Sequence, residues 1–146
     1  MNEVKIKDFY ELTLDELYEI LKLRCRVFSV EQRIVYEDPD ELDKKAYHVF
    51  LKDGDGMAAY LRLLPAGVGA EDVMIGRVLS VRRGKGYGGE VLESAVAAAK
   101  ELLDAKRIYI ASQLHASGFY EEHGFHKVSE EYIHAGIPHV DMIRDI

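Results

Sequence analysis

The segment Arg82-Arg83-Gly84-Lys85-Gly86-Tyr87-Gly88-Gly89 limits what this chain can fold into more than any other. Before it, Val73–Ser80 has the composition of a strand. After it, from about Glu90 to Leu103, Val91, Leu92, Ala95, Ala99 and Leu102 recur at helical spacing. A strand that turns into a helix through alternating glycines forms an anion site. Backbone N–H groups can approach a phosphate with no Cβ in the way, and the helix start adds partial positive charge. Arg82, Arg83 and Lys85 put full charges at its mouth. No Gly-Lys-Ser/Thr closes the run, so it is not a triphosphate loop. It also comes too late to be the first turn of a dinucleotide fold.

What precedes the turn reads as an antiparallel meander. Ala46–Lys52 and Met57–Leu64 flank Asp53-Gly54-Asp55-Gly56, a hairpin linker whose residues tolerate positive φ. Further upstream, Thr13-x-x-Glu16 is a capping box. It opens a helix whose apolar stripe is Leu14, Leu17, Ile20, Leu21, Cys25 and Phe28, with Cys25 expected in the core. Val4–Ile6 is a short strand before it. The acidic stretch Tyr36–Lys45 around Pro39 reads as a solvated loop. After the second long helix come a strand at Arg107–Ser112, a short helix at Ala116–His123 and a left-handed stop at Gly124. Phe125–Tyr132 and His139–Ile143 close the chain as strands around a Gly136-Ile137-Pro138 turn. The order β-α-β-β-β-α-β-α-β-β is an α/β mixture in one sheet, and 146 residues make one domain, 1–146.

Composition narrows the function classes. With 19 basic and 26 acidic residues the chain carries −7, which argues against a nucleic-acid partner. No apolar run approaches the ~18 residues of a membrane span, and Met1-Asn2-Glu3-Val4-Lys5 does not read as a signal peptide. The single cysteine excludes an internal disulfide framework and suits a reducing cytoplasm. His115, His123 and His126 straddle a helix and a turn without an acidic ligand at matching spacing, so no metal site is expected.

Two motifs carry a family resemblance. Arg83-Gly84-Lys85-Gly86-Tyr87-Gly88 resembles the Arg/Gln-x-x-Gly-x-Gly/Ala signature with which GNAT N-acetyltransferases grip the pyrophosphate of acetyl-CoA. Phe119-Tyr120-Glu121-Glu122-His123-Gly124-Phe125 resembles the family's Phe-Tyr-x-x-x-Gly-Phe segment. More narrowly, Leu23–Gln32, Ile75–Val78 and Gly136–His139 are similar to the ElaA group, and the likeness runs from Leu12 onward. One departure is a segment between Val78 and Arg83 about two residues shorter than that group's pattern. This blurs which backbone groups of 77–80 would meet the pantetheine arm; Val78 and Leu79 are favoured, with Ser80 next.

The resemblance implies a single GNAT domain whose mixed, bent sheet has a splayed parallel strand pair flanked by helices. Its cosubstrate would be acetyl-CoA, bound by Val78, Leu79, Arg83, Gly84, Lys85, Gly86, Gly88 and Gly89, and its acceptor a small-molecule or peptide amine. A homodimer is an assembly it allows. By direct attack of the amine on the thioester, Tyr120 would be the general acid. Glu31 at the end of the first helix and His139 at the start of the last strand are the two options for the base. Two other readings stand beside this one: a non-catalytic CoA-binding regulatory module, and an acyl-homoserine-lactone-synthase-like enzyme. Arg24, Phe28, Glu31, Tyr36, Asp40 and Asp43 are similar to the N-terminal half of such synthases, but those chains run far longer and lack so clear a glycine turn.

Overall fold

The computed structural model describes residues 2–146. Strand β1 (Glu3–Asp8) leads through a short 3-10 turn to helix α1 (Leu14–Arg24). Thr13 Oγ1 accepts from the Glu16 N–H at 3.1 Å and Glu16 returns the bond at 2.9 Å, so the capping box forms as expected. The helix then widens into a π-helical segment, Cys25–Glu31. After the acidic stretch, whose Glu41–Lys45 is a 3-10 turn, come β2 (Tyr47–Asp53), β3 (Gly56–Leu64), β4 (Val73–Ser80) and α2 (Tyr87–Leu103). The chain ends with β5 (Arg107–Gln113), α3 (Ser117–Glu122), β6 (His126–Lys127), β7 (Tyr132–His134) and β8 (Ile137–Asp145).

These strands form one mixed sheet in the order β1-β2-β3-β4-β5-β8-β6, with β7 also on β8. Every pairing is antiparallel except β4 with β5. That parallel pairing covers only Val73↔Ile108 and Met74↔Tyr109. The two strands then splay, and a bulge in β4 is the local cause. Tyr60 pairs with Leu79 and Arg62 with Gly76, so Arg77 and Val78 together face one residue of β3. Arg77 takes a left-handed φ of 53° to make the bend.

Helix α2 covers one face of the sheet with Val91, Leu92, Ala95, Val96 and Ala99. Helix α1 and the π-helical segment after it cover part of the other, packing Ile20, Leu23 and Phe28 against Phe50, Met57, Tyr60 and Leu79. Several expectations need correction. Leu102 is exposed, as is Leu14 at 87%, and Cys25 is not in the core. The inner face of α1 instead includes Glu16 and Arg24, polar residues buried through ion pairs, which moves the real stripe away from the apolar one. In place of one strand over Phe125–Tyr132 there are two short ones, β6 and β7, and β8 runs longer than the expected His139–Ile143 at both ends. The turn sits at Ala135–Gly136, both left-handed, and Pro138 lies inside β8. The last β5 partner of β8 is His139, so Pro138's missing N–H breaks no bond to β5.

Candidate active site

The acidic stretch is not a solvated loop. Arg24, with 0% exposure, donates from Nε to Asp38 Oδ2 and from Nη1 to Asp43 Oδ1, both at 2.8 Å. Arg62 donates to Asp40 at 2.7 Å and to Asp43 at 2.9 Å, and Arg77 Nη2 donates to the Asp38 carbonyl at 3.0 Å. His48 Nε2–H donates to the Asp43 carbonyl at 2.9 Å, which leaves Nδ1 to accept from the Tyr60 hydroxyl at 2.7 Å. Burial alone would raise the carboxyl pKa values of Asp40 and Asp43. Hydrogen bonds and charge from Arg62, and for Asp43 from Arg24 as well, outweigh burial and hold both below the usual carboxylate range. The same network sets Tyr36 beneath Arg77, whose guanidinium lies 5.2 Å from the ring centre.

The glycine turn is open by contrast. Gly84 and Gly86 have φ of 75° and 76°, a region that a side chain makes costly, and no side chain caps α2. The N–H groups of its first turn therefore lack intrahelical acceptors. Arg82 is committed elsewhere, bonded to Asp53 at 2.6 and 3.0 Å, which corrects its expected place among the free charges. Among the described residues Arg83 and Lys85 make no ion pair, and both are exposed. Gly88 leaves room for the Phe119 ring, 3.6 Å from where its Cβ would be. At Gly89 the His123 ring fills the equivalent space at 3.2 Å, held by Glu93 at 2.6 Å.

Between the splayed strands β4 leaves an unpaired edge. Val81 N–H reaches the Ala58 carbonyl at 2.8 Å. The strand's alternation then turns the N–H and C=O of Leu79 toward β3 and those of Ser80 toward the slot. Val78 lies in the bulge and lines the cavity below.

That cavity, of about 240 Å³, is lined by Phe28, Gln32, Tyr36, Arg77, Gln113, His115, Tyr120, His134 and His139 among others. Tyr120 is 5% exposed, its ring set edgewise against Phe119 and Phe125. Burial pushes its phenol well above the usual range, so it stays protonated. Among the described residues its hydroxyl has no hydrogen-bond partner. His139 is buried, and its Nδ1–H donates to the Ile137 carbonyl at 2.7 Å, leaving Nε2 as an acceptor. Glu31 is exposed and does not line the cavity; its neighbour Gln32 does. The structure thus brings Tyr120, His139 and Val78 together, with Arg83–Gly89 directly beyond the end of β4, and leaves Glu31 outside. Gln113 reaches the cavity without any motif that would have named it, while Gln32, Arg77 and Tyr36 fall in stretches of family likeness that gave them no role.

Comparison with known proteins agrees with this architecture. Residues 25–146 match the family model described as an acetyltransferase (GNAT) domain. A UPF0039 protein of Schizosaccharomyces pombe is 39% identical over 144 residues, 96% of this chain and 95% of that one. Protein ElaA of Escherichia coli is 35% identical over 140 residues, covering 93% of this chain and 92% of its own. The ElaA crystal structure superposes with a TM-score of 0.91 over 99% of this chain and 100% of that chain. An acyl-CoA N-acyltransferase from Pseudomonas aeruginosa gives 0.89 at 38% identity, covering 99% of both chains. With the splayed strand pair, the glycine turn and these matches together, the chain belongs to the GNAT acetyltransferase family.

Proposed function

We propose that this chain moves the acetyl group of acetyl-CoA to an amine, with both substrates bound together. Family membership supports acyl transfer from CoA. The observation that carries the finer reading is Tyr120, a protonated phenol without a partner, facing a cavity below an unpaired strand edge. The turn Arg83–Gly89 suits the pyrophosphate, with backbone donors and two free cations, and the β4 edge around Val78–Ser80 suits the amides of pantetheine. On β4 the Ser80 N–H and C=O point into the slot while those of Leu79 point toward β3, which makes Ser80 the better placed of the two for that arm.

The amine nitrogen attacks the thioester carbon, the C–S bond breaks, and two protons must move. Tyr120 gives its proton to the departing thiolate. His139 Nε2 accepts the proton the amine loses, directly or through water. An alkyl ammonium must first give a proton to solvent to free its lone pair, at a cost of about 4–5 kcal/mol at pH 7, and this earlier deprotonation, separate from the transfer to His139, decides which amines react. We place the reaction in the cytoplasm; among the described residues no helix is long and apolar enough to cross a membrane.

The test is thiol release from acetyl-CoA with an amine panel. Tyr120→Phe keeps the ring packed and removes the proton. Turnover is expected to fall ~10²–10⁴-fold while acetyl-CoA affinity holds. Wild-type turnover in that variant would reduce Tyr120 to a packing residue. Binding of acetyl-CoA without thiol release for any amine would favour a non-catalytic CoA-binding module.

A further inference from the structure

The acceptor end of the cavity has an unusual chemical balance. Among the described residues no Asp or Glu lines it. The nearby carboxylates of Asp38, Asp40 and Asp43 are held by Arg24, Arg62 and Arg77, and Glu31 points to solvent. The aromatic faces are occupied as well: Arg77 lies over Tyr36, and Tyr132 stacks on His139 with centroids 5.9 Å apart. An ammonium entering here meets no free carboxylate, and the Tyr36 and His139 rings each have a face already covered. The cavity favours an amine that arrives neutral.

A second feature says what lies beside that amine. Gln113 Nε2 donates to Gln32 Oε1 at 2.8 Å, and both side chains line the cavity. Whichever of the two amides donates, the pair leaves one carbonyl oxygen and one NH₂ group without a side-chain or backbone partner. An unused acceptor beside an unused donor matches the N–H and C=O of an amide.

We infer that the acceptor is an α-amine next to an amide, the amino terminus of a peptide or an amino-acid amide. Lysine ε-amines and polyamines are excluded as preferred substrates. The inference rests on the transfer reaction proposed above. An α-amine with pKa of ~7.7–8.0 is roughly one-tenth neutral at pH 7, whereas an alkyl amine near ~10.4 is neutral in about one molecule of 2,500. The site therefore gains on the order of a hundredfold or more by taking the weaker base.

The experiment measures kcat/KM for thiol release at pH 7 with three acceptors: alanyl-alanine amide, Nα-acetyl-lysine amide and spermidine. The dipeptide amide is expected to exceed the other two at least ~100-fold. Gln113→Leu is expected to raise KM for the dipeptide amide roughly five- to tenfold, the effect of one lost hydrogen bond, and to move KM for benzylamine far less. Spermidine or the ε-amine matching the dipeptide amide would overturn the inference and leave acetyl transfer standing. Equal KM changes for both acceptors in Gln113→Leu would overturn the amide recognition. Bound acetyl-CoA with no thiol release for any acceptor would instead overturn the transferase reading itself, and the inference with it.

Discussion

This chain has two charged segments, and the fold treats them in opposite ways. In residues 36–45 the aspartates are drawn inward and matched by arginines of α1, β3 and β4, with only Asp38 Oδ1 and the Nε atoms of Arg62 and Arg77 buried without a hydrogen bond among the described residues. In residues 83–89 the cations stay exposed and the helix start is left uncapped. The acidic segment is part of the scaffold and the basic one is open to a ligand. A run of charge marks a binding site only where its partners are missing. Of the two, the segment with the stronger local charge is the one with least left to offer.

The largest effect that would break this contrast is on stability. Arg24→Met leaves Asp38 and Asp43 buried without their main partner, and removing one member of such a pair typically costs about 3–5 kcal/mol. Urea unfolding measures it; a loss under ~1 kcal/mol would mean the network is solvated after all. Next in size is Gly86→Val. A Cβ there meets nothing in the protein within 4 Å, so its stability cost comes only from the φ of 76°, roughly 1–2 kcal/mol. Acetyl-CoA affinity, read by calorimetry, is expected to fall at least ~10-fold, because that approach serves the ligand.

A smaller effect separates the segments by pH. Burial lowers the pKa of His48 from its ordinary 6.5, so the unfolded chain binds the proton first. The stability this contributes is complete above about pH 6.5 and is lost as pH falls from there through the folded value. The loss is at most ~1.4 kcal/mol per pH unit. Melting curves between pH 7 and pH 5 should show the decline, and His48→Gln should flatten it. An unchanged slope in that variant would assign the decline to another group.

Much of the ligand-facing half was legible in the sequence. The limits of β4, the glycine turn and the left-handed stop at Gly124 all follow from local residue types. The helix after the turn starts at Tyr87 instead of Glu90, because the glycines themselves enter its first turn. The scaffold half was much less legible. Asp38 and Asp43 are buried only because Arg24 stands 14 and 19 residues away in sequence, a pairing no local pattern reveals. The same pairing buries a polar position on α1 and so hid its inner face. The Gln32–Gln113 contact spans 81 residues and joins a helix end to a strand end across the open slot. Only the fold brings these two together.

Amide hydrogen exchange with and without acetyl-CoA tests the central contrast most directly. Saturating acetyl-CoA is predicted to slow exchange in peptides covering residues 78–89, where the open edge of β4 and the uncapped start of α2 lie, and to leave residues 36–45 unchanged. Protection confined to residues 36–45, or no protection across 78–89 at saturation, would contradict the account.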